Sequence, residues 1–239
     1  MGDYEKAFTR NIGVLTQREQ KKLRNSRVAI CGLGGLGGIT FQMLLRAGIG
    51  NFTIADGDKF ELSNFNRQVL ASYKTLRKRK ADVASDFAQS INRGAKVRKI
   101  AKFIDERNVS SFVRNADVVV DCLDNPISRV ILSRECRKKR IPFVFGSAAR
   151  TCGMCSVFDA LDFEAVLALP TRGKSAKEAR GLLKNYPKGM PILGIVPAMI
   201  GNINAMQALA VLLKKPYVKA PYFIFFNAFS KEPFCVRKI

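Results

Sequence analysis

Short apolar runs alternate with longer stretches whose apolar residues recur every three to four positions, and this alternation predicts the elements in order. RVAIC at 27–31 and NFTIA at 51–55 read as strands. Between them, Gly32–Gly38 reads as a glycine-rich turn and 39–47 as a helix stopped by Gly48 and Gly50. Helical periodicity returns over 80–92, followed by a strand at 96–101, a short helix within 110–115 and a strand at 116–122. The last of these, ADVVVDC, is nearly all apolar in its middle, as a parallel strand covered on both faces would be. A helix over 127–139, a strand over 142–147 and an antiparallel continuation over 153–158 follow. Residues 170–190 are polar, basic and broken by Gly and Pro, which predicts a mobile loop with at most one short helix. Residues 192–213 predict a long buried helix preceded by a turn at Pro197, and 221–229 one more strand. Upstream, 1–26 reads as an amphipathic, mostly helical entry segment in which Thr16 and Glu19 form a capping box. The sum is an α/β fold, Rossmann-like and doubly wound, with a mostly parallel sheet and an antiparallel C-terminal extension.

Composition changes this picture in three respects. With 239 residues, 47% of them hydrophobic, one substantial domain over 1–239 is expected rather than two small ones. The 41 Lys and Arg against 19 Asp and Glu give a formal charge of +22, which concentrates anions around the protein: a nucleotide, nucleic acid, an acidic partner or a membrane surface. The densest runs are Lys21-Lys22, Arg77-Lys78-Arg79-Lys80 and Arg137-Lys138-Lys139-Arg140, which solvated helix faces explain. RNA contact stays open, although no RNP-type strand, zinc-finger spacing or helix-turn-helix pattern supports specific readout. Finally, six Cys and a polar, charged start at Met1–Arg10 suit buried thiols in a reducing, cytoplasmic setting without a signal peptide. No uninterrupted apolar run reaches membrane-spanning length, so no membrane partner is expected.

The chemistry starts at the glycines. Gly32, Gly34 and Gly37 fit G-x-G-x-x-G between a strand and a helix, where close backbone approach and free amides at a helix N-terminus cradle phosphate. Asp56 ends the second strand, where an acid accepts hydrogen bonds from both ribose hydroxyls. Asp58 could hold the turn or a magnesium ion. These features alone suit a dinucleotide dehydrogenase equally, and the absence of His removes only the commonest base. The loop after Asp56 adds Asn64, Arg67 and Gln68, and Lys80 lies beyond it. Arg67 and Lys80 could neutralise a triphosphate, and Asn64 could orient a phosphate or its water. Asp124 follows the apolar strand, at the carboxyl end where ligands bind in open sheets, and could hold Mg2+ against phosphate oxygens. Blander readings stand beside these: a solvated helix residue at Arg10, a turn former at Asn64, and for Lys80 simple membership of its basic run.

Six motifs occur in order: R-x6-Q from Arg10 to Gln17, GLGGLGG at 32–38, DGD at 56–58, SN-x-x-RQ from Ser63 to Gln68, Lys80, and D-N-x-x-x-R from Asp124 to Arg129. As a set they resemble the ubiquitin-activating-like enzymes of the HesA-MoeB-ThiF family, whose members include the adenylyltransferases of molybdopterin and thiamine sulfur transfer. The resemblance runs from Arg10 to about Leu213. It implies ATP-dependent adenylation of the C-terminal carboxylate of a small β-grasp carrier protein ending in Gly-Gly, with release of pyrophosphate. It also implies that Asp56 binds ribose, that Asn64, Arg67, Gln68 and Lys80 surround the phosphates, and that Asp124 holds Mg2+. In a homodimer, Arg10 would reach the neighbouring subunit's γ-phosphate, and 170–190 would be a crossover loop clamping the partner's tail. Activation of a non-protein carboxylate, such as one on modified tRNA, and a non-catalytic scaffold are the alternatives. The chain departs from the pattern in two places. Cys152 and Cys155 form the one C-x-x-C pair, so structural zinc is not expected. The stretch PKGMPILGIVPAMIG has no Cys to take up a thioester.

Overall fold

A computed structural model describes residues 2–186 and 189–239. Eight strands join one sheet in the order β3-β2-β1-β4-β5-β6-β7-β8. They are β1 Arg27–Cys31, β2 Asn51–Ala55, β3 Lys96–Ile100, β4 Val118–Asp121, β5 Phe143–Ala149, β6 Cys152–Phe158, β7 Tyr222–Asn227 and β8 Phe234–Lys238. Pairing is parallel from β3 through β5 and antiparallel from β5 through β8, the mixed Rossmann-like sheet that the hydrophobic pattern predicts. The chain proceeds outward from β1 in one direction and resumes at β4 on the other side. This reversal makes a switch point, and the crevice outside the carboxyl ends of β1 and β4 is where such sheets bind ligands.

The helices are α1 Asp3–Ala7, α2 Gln17–Asn25, α3 Gly35–Arg46, α4 Lys80–Ile91, α5 Val109–Phe112, α6 Pro126–Lys139, α7 Phe163–Val166, α8 Ala176–Leu182 and α9 Ile195–Leu213. One face of the sheet carries α3, α4 and α9 over a core containing Ile30, Ile54, Val120 and Ile200. The other carries α5, α6 and α7 over Phe112, Leu132, Phe145 and Phe223. Val118, Val119 and Val120 are buried alike because β4 is covered on both sides. The capping box at α2 forms in both directions, with Thr16 Oγ1 accepting from the Glu19 N–H at 3.1 Å and Glu19 Oε2 accepting from the Thr16 N–H at 2.8 Å.

Several boundaries differ from the sequence reading for identifiable reasons. The glycine turn is shorter than 32–38, since α3 already begins at Gly35. Pro197 does not precede α9 but occupies its first turn, where the missing N–H costs no helix bond. Helix α9 is long and apolar enough to match a membrane span, with a mean hydropathy of 1.6, against the expectation that no segment would be. It lies instead along α3 and the sheet, where Gly201 lets the two helices meet: a Cβ there would stand 2.7 Å from the Leu36 carbonyl oxygen. The strand β8 and the one-turn helix α7 were not expected. Both are short and lack a periodic apolar face long enough to register.

Candidate active site

The glycine loop packs against the end of β4. Gly32 has φ of +89°, and a Cβ on it would sit 2.6 Å from the Cys122 carbonyl oxygen. A Cβ on Gly37 would collide with the Gly32 carbonyl. Gly34 is different, because the nearest atom to its Cβ position is Gln68 Nε2 at 3.6 Å. Packing within the protein therefore demands glycine at 32 and 37, while at Gly34 a Cβ would make only ordinary contact with Gln68. Gly34 is also the N-cap of α3, which has no side-chain cap and no acid in its first turn. Its first amides are thus unspent at the positive end of a helix dipole, a ready anion site.

Asp56 braces this loop. One carboxylate oxygen accepts the Leu33 N–H at 2.7 Å and the other the Asp58 N–H at 2.8 Å. Each oxygen retains a further lone pair for a hydroxyl donor. Burial pushes the Asp56 carboxyl above the ordinary range, and the nearby Lys80 ammonium pulls it back down. Lys80 is buried at the start of α4, and its Nζ meets Asp58 at 3.1 Å. Asp58 is thereby a partner of Lys80 and holds the turn after β2.

The loop after β2 brings the SN-x-x-RQ residues to the same edge in different states. Asn64 caps its own 3-10 turn: its Oδ1 accepts from the Glu61 N–H at 3.1 Å, and its amide lies 3.4 Å from Ser63 Oγ. Arg67 donates through Nη1 to the Ser63 carbonyl and to Asn66 Oδ1, both at 2.8 Å. Gln68 is 6% exposed and lies beside Gly34, and its Oε1 has no hydrogen-bond partner. Gln68 Oε1 shares this condition with Thr171 Oγ1 and Asn204 Oδ1 among the described residues.

On the β4 side, Asp124 is exposed just before Asn125, which caps α6 by accepting from the Ile127 and Ser128 N–H groups. Two residues that the sequence reading did not assign hold this loop. Asp121 is fully buried, and its Oδ2 lies 2.7 Å from Arg129 Nε, out of hydrogen-bond alignment. Its Oδ1 accepts the Leu123 N–H at 2.9 Å, while Arg129 Nη2 donates to the Leu123 carbonyl and to the Gly146 carbonyl. Leu123 is held through both its backbone N–H and its carbonyl, which fixes the backbone leading into Asp124. Burial raises the Asp121 carboxyl, and Arg129 opposes the shift. The signal was present in the sequence: an acid at the end of VVV must be buried, and a buried carboxylate requires a cation.

Arg10 stands apart from the other predicted residues. It is exposed, and its neighbour Asn11 donates to the Ala47 carbonyl at the far end of α3. That helix spans about 18 Å at 1.5 Å per residue, so Arg10 is remote from its own glycine loop. The cysteines are also dispersed. Cys152 and Cys155 are three apart on β6, so their side chains leave opposite faces of the sheet. Burial raises the Cys155 thiol strongly and pushes Cys122 up to about 12.

The basic segment 170–190 is described except at Pro187 and Lys188, and it contains one short helix, α8. Arg180 pairs with Glu106 at 2.7 Å, and Arg134 bridges Glu164 and the Thr171 carbonyl, tying the segment to the α5–α6 side. The chain then reaches α9 on the opposite face by passing the site edge. There the Pro191 carbonyl accepts from the Arg150 N–H at 2.7 Å, and the Ile192 carbonyl accepts from the Asn66 amide at 3.3 Å.

Comparison with known proteins places the chain in a family. The ThiF family profile matches residues 8–239. The molybdopterin-synthase adenylyltransferase of Haemophilus influenzae is 36% identical over 198 residues, covering 82% of this chain and 78% of that protein. Its Escherichia coli counterpart is 34% identical over 197 residues, covering 81% and 75%. Among solved structures, E. coli MccB with ATP superposes with a TM-score of 0.78 at 20% identity, covering all of this chain and 73% of that one. The E. coli tRNA N6-threonylcarbamoyladenosine dehydratase in complex with AMP gives 0.73 at 20% identity, covering 89% and 97%. At such identities the two structures speak for the fold alone. With the profile spanning nearly the whole chain and curated relatives above 30% identity, the chain belongs to the ThiF family and is an adenylyltransferase of it.

Proposed function

We propose that the protein uses ATP with Mg2+ to adenylate the C-terminal carboxylate of a small sulfur-carrier-type protein, releasing pyrophosphate. One observation carries this reading: the unspent α3 amides lie at the same edge as Asp56, which accepts the Leu33 N–H, and Lys80, across the switch point from Asp124. ATP supplies the adenylyl group, and the metal ion supplies charge neutralisation. The α3 N-terminus takes phosphate oxygens, Asp56 accepts from the ribose hydroxyls, and Gln68 lines the glycine loop beside Gly34. Arg67 and Lys80 provide positive charge along the phosphates, and Asn64 shapes the loop that carries Arg67. Asp124 is the carboxylate for Mg2+. No group of three or more candidate ligands exists among the described residues. One carboxylate nevertheless fits an ion whose other ligands are waters and phosphate oxygens.

The attacking carboxylate is already ionised at neutral pH, so a site without His suits the chemistry. A bond forms from the carboxylate oxygen to the α-phosphorus as the bond to pyrophosphate breaks, and alignment and charge neutralisation lower the barrier. The segment 170–190 would close over the incoming tail. Arg10 would act on a second subunit, since it lies too far from its own loop, and the working unit would be a homodimer. Mixing Arg10→Ala with Asp124→Ala subunits should then recover part of the activity that each lacks.

The deciding experiment is ATP–pyrophosphate exchange with and without small β-grasp proteins ending in Gly-Gly. Exchange that requires such a carrier supports the reading, and none with any of them overturns it. The formal charge of +22 keeps one second reading in play, a carboxylate on RNA. AMP release stimulated by RNA and not by a carrier protein would select it.

A further inference from the structure

The end of the sheet opposite the glycine loop holds a cavity of about 400 Å³ whose lining includes Arg27, Asn51, Thr53, Lys96, Arg98 and Arg114. Strand register explains why they converge. Arg27, Asn51 and Lys96 form one row across β1, β2 and β3, and Ala29, Thr53 and Arg98 the next. Val28, Phe52 and Val97 alternate with them and point into the core under α3 and α4. The remaining face would normally be roofed by the helix joining β3 to β4. That helix is α5, four residues long: Ala29 is buried in the core that α5 joins, while Asn51 and Thr53 stay half-buried and Arg27, Lys96 and Arg98 exposed.

The chemistry of this face is one-sided. Arg27, Lys96, Arg98 and Arg114 are all exposed, and no carboxylate is among the described lining residues. Asp117, adjacent to the lining residue Ala116, accepts the Arg27 backbone N–H at 2.7 Å. Arg98 is held in place by donating to the Ser111 carbonyl at 2.8 Å and to its hydroxyl at 2.6 Å. An ordinary solvated sheet face mixes charges, because like charges on neighbouring strands repel. This face sets four cations around a threonine and an asparagine, with the Asp117 carboxylate, bound to the Arg27 backbone N–H, as the counter-charge at its rim.

We propose that this cavity is a second anion site, separate from the nucleotide edge, for a compact phosphate-bearing ligand of the phosphate monoester or pyrophosphate class. The volume is that of a small-molecule pocket. Guanidinium groups match phosphate oxygens in pairs, and Thr53 and Asn51 supply neutral hydrogen bonds. Binding weakens with salt, because the cations are exposed.

Hydrogen exchange on the full chain, with inorganic pyrophosphate as the probe at constant ionic strength, tests this site separately from the nucleotide edge. The expected result is protection at the start of β3 and in the 114–118 loop, in addition to any at the glycine loop. In the double variant Lys96→Gln, Arg114→Gln, that protection should need about tenfold more pyrophosphate or worse, in line with the loss of charged hydrogen bonds. Both side chains are exposed, so the variant's thermal midpoint without ligand should match wild type and thereby certify its fold. Protection confined to the glycine loop, or undiminished in the variant, would overturn the proposal. So would protection of the 96–98 amides by a single-stranded RNA oligonucleotide and not by pyrophosphate, which would assign the face to nucleic acid.

Discussion

The parallel and antiparallel halves of the sheet use their side chains for different ends. Around β1 and β4, polar groups are held in place yet left partly unsatisfied: the α3 amides, Gln68 Oε1 and the free Asp124. Across β5, β6 and β7, the core is aromatic. Phe145, Phe158, Phe163 and Phe223 meet mostly edge-on, with centroids 5.1 to 6.4 Å apart. The buried Ser156 there is satisfied within the chain, its hydroxyl donating to the Tyr222 carbonyl at 2.7 Å. The aromatic half is thus packed for stability, with Asn204 Oδ1 beside Gly146 left without a hydrogen-bond partner, while the glycine-loop edge leaves the α3 amides unspent. The Asp121–Arg129 pair connects them, because Arg129 also stacks on Phe145 at 4.8 Å.

The largest effects should separate the two regions. Phe223→Ala should cost about 3–5 kcal/mol in urea unfolding, while the folded fraction keeps its KM for ATP. Arg129→Ala should cost a similar amount, about 3–5 kcal/mol, because it leaves the buried Asp121 unpaired. Replacing the pair together, Asp121→Leu with Arg129→Met, should recover most of that stability but not pyrophosphate exchange, since Leu123 loses both of its backbone holds. If exchange returned with stability, the pair would be structural only.

A smaller contrast lies inside the glycine loop. Gly37→Ala should destabilise by about 1–3 kcal/mol through overpacking against the Gly32 carbonyl. Gly34→Ala should leave unfolding nearly unchanged, because its methyl would make only ordinary contact with Gln68, and weaken ATP binding about tenfold by crowding the N-cap of the helix proposed to take phosphate. Equal losses of stability in both variants would remove the distinction. The smallest effect is a shift in pH dependence. Lys80 lowers an Asp56 carboxyl that burial has raised, so Lys80→Met should raise it further. Ribose binding needs the ionised acid, and the acid limb of the ATP KM profile should therefore move to higher pH. A limb that stays in place or moves lower would separate Asp56 from nucleotide binding.

Much of the parallel half was legible in the sequence because its signals are local. RVAIC, NFTIA and the glycines each announce a strand, a strand and a phosphate-type turn within a few residues. The roles within the loop were less legible, since they depend on which acceptor a side chain finds. Asn64 spends its oxygen on Glu61, and Lys80 meets Asp58, whereas Gln68 stays unpartnered. No spacing rule distinguishes these fates. The antiparallel edge was hardest to read: β8 gains its place by pairing with β7, and its largely exposed residues carry no core periodicity.

The most direct test of the account is ATP–pyrophosphate exchange by Asp124→Ala beside wild type, each with the carrier that supports exchange. Asp124 is exposed, so the variant should unfold at the wild-type temperature. The account predicts that its exchange falls by about a hundredfold or more, the scale on which a charge-stabilising group is lost. Exchange at the wild-type rate in a folded Asp124→Ala protein would contradict it.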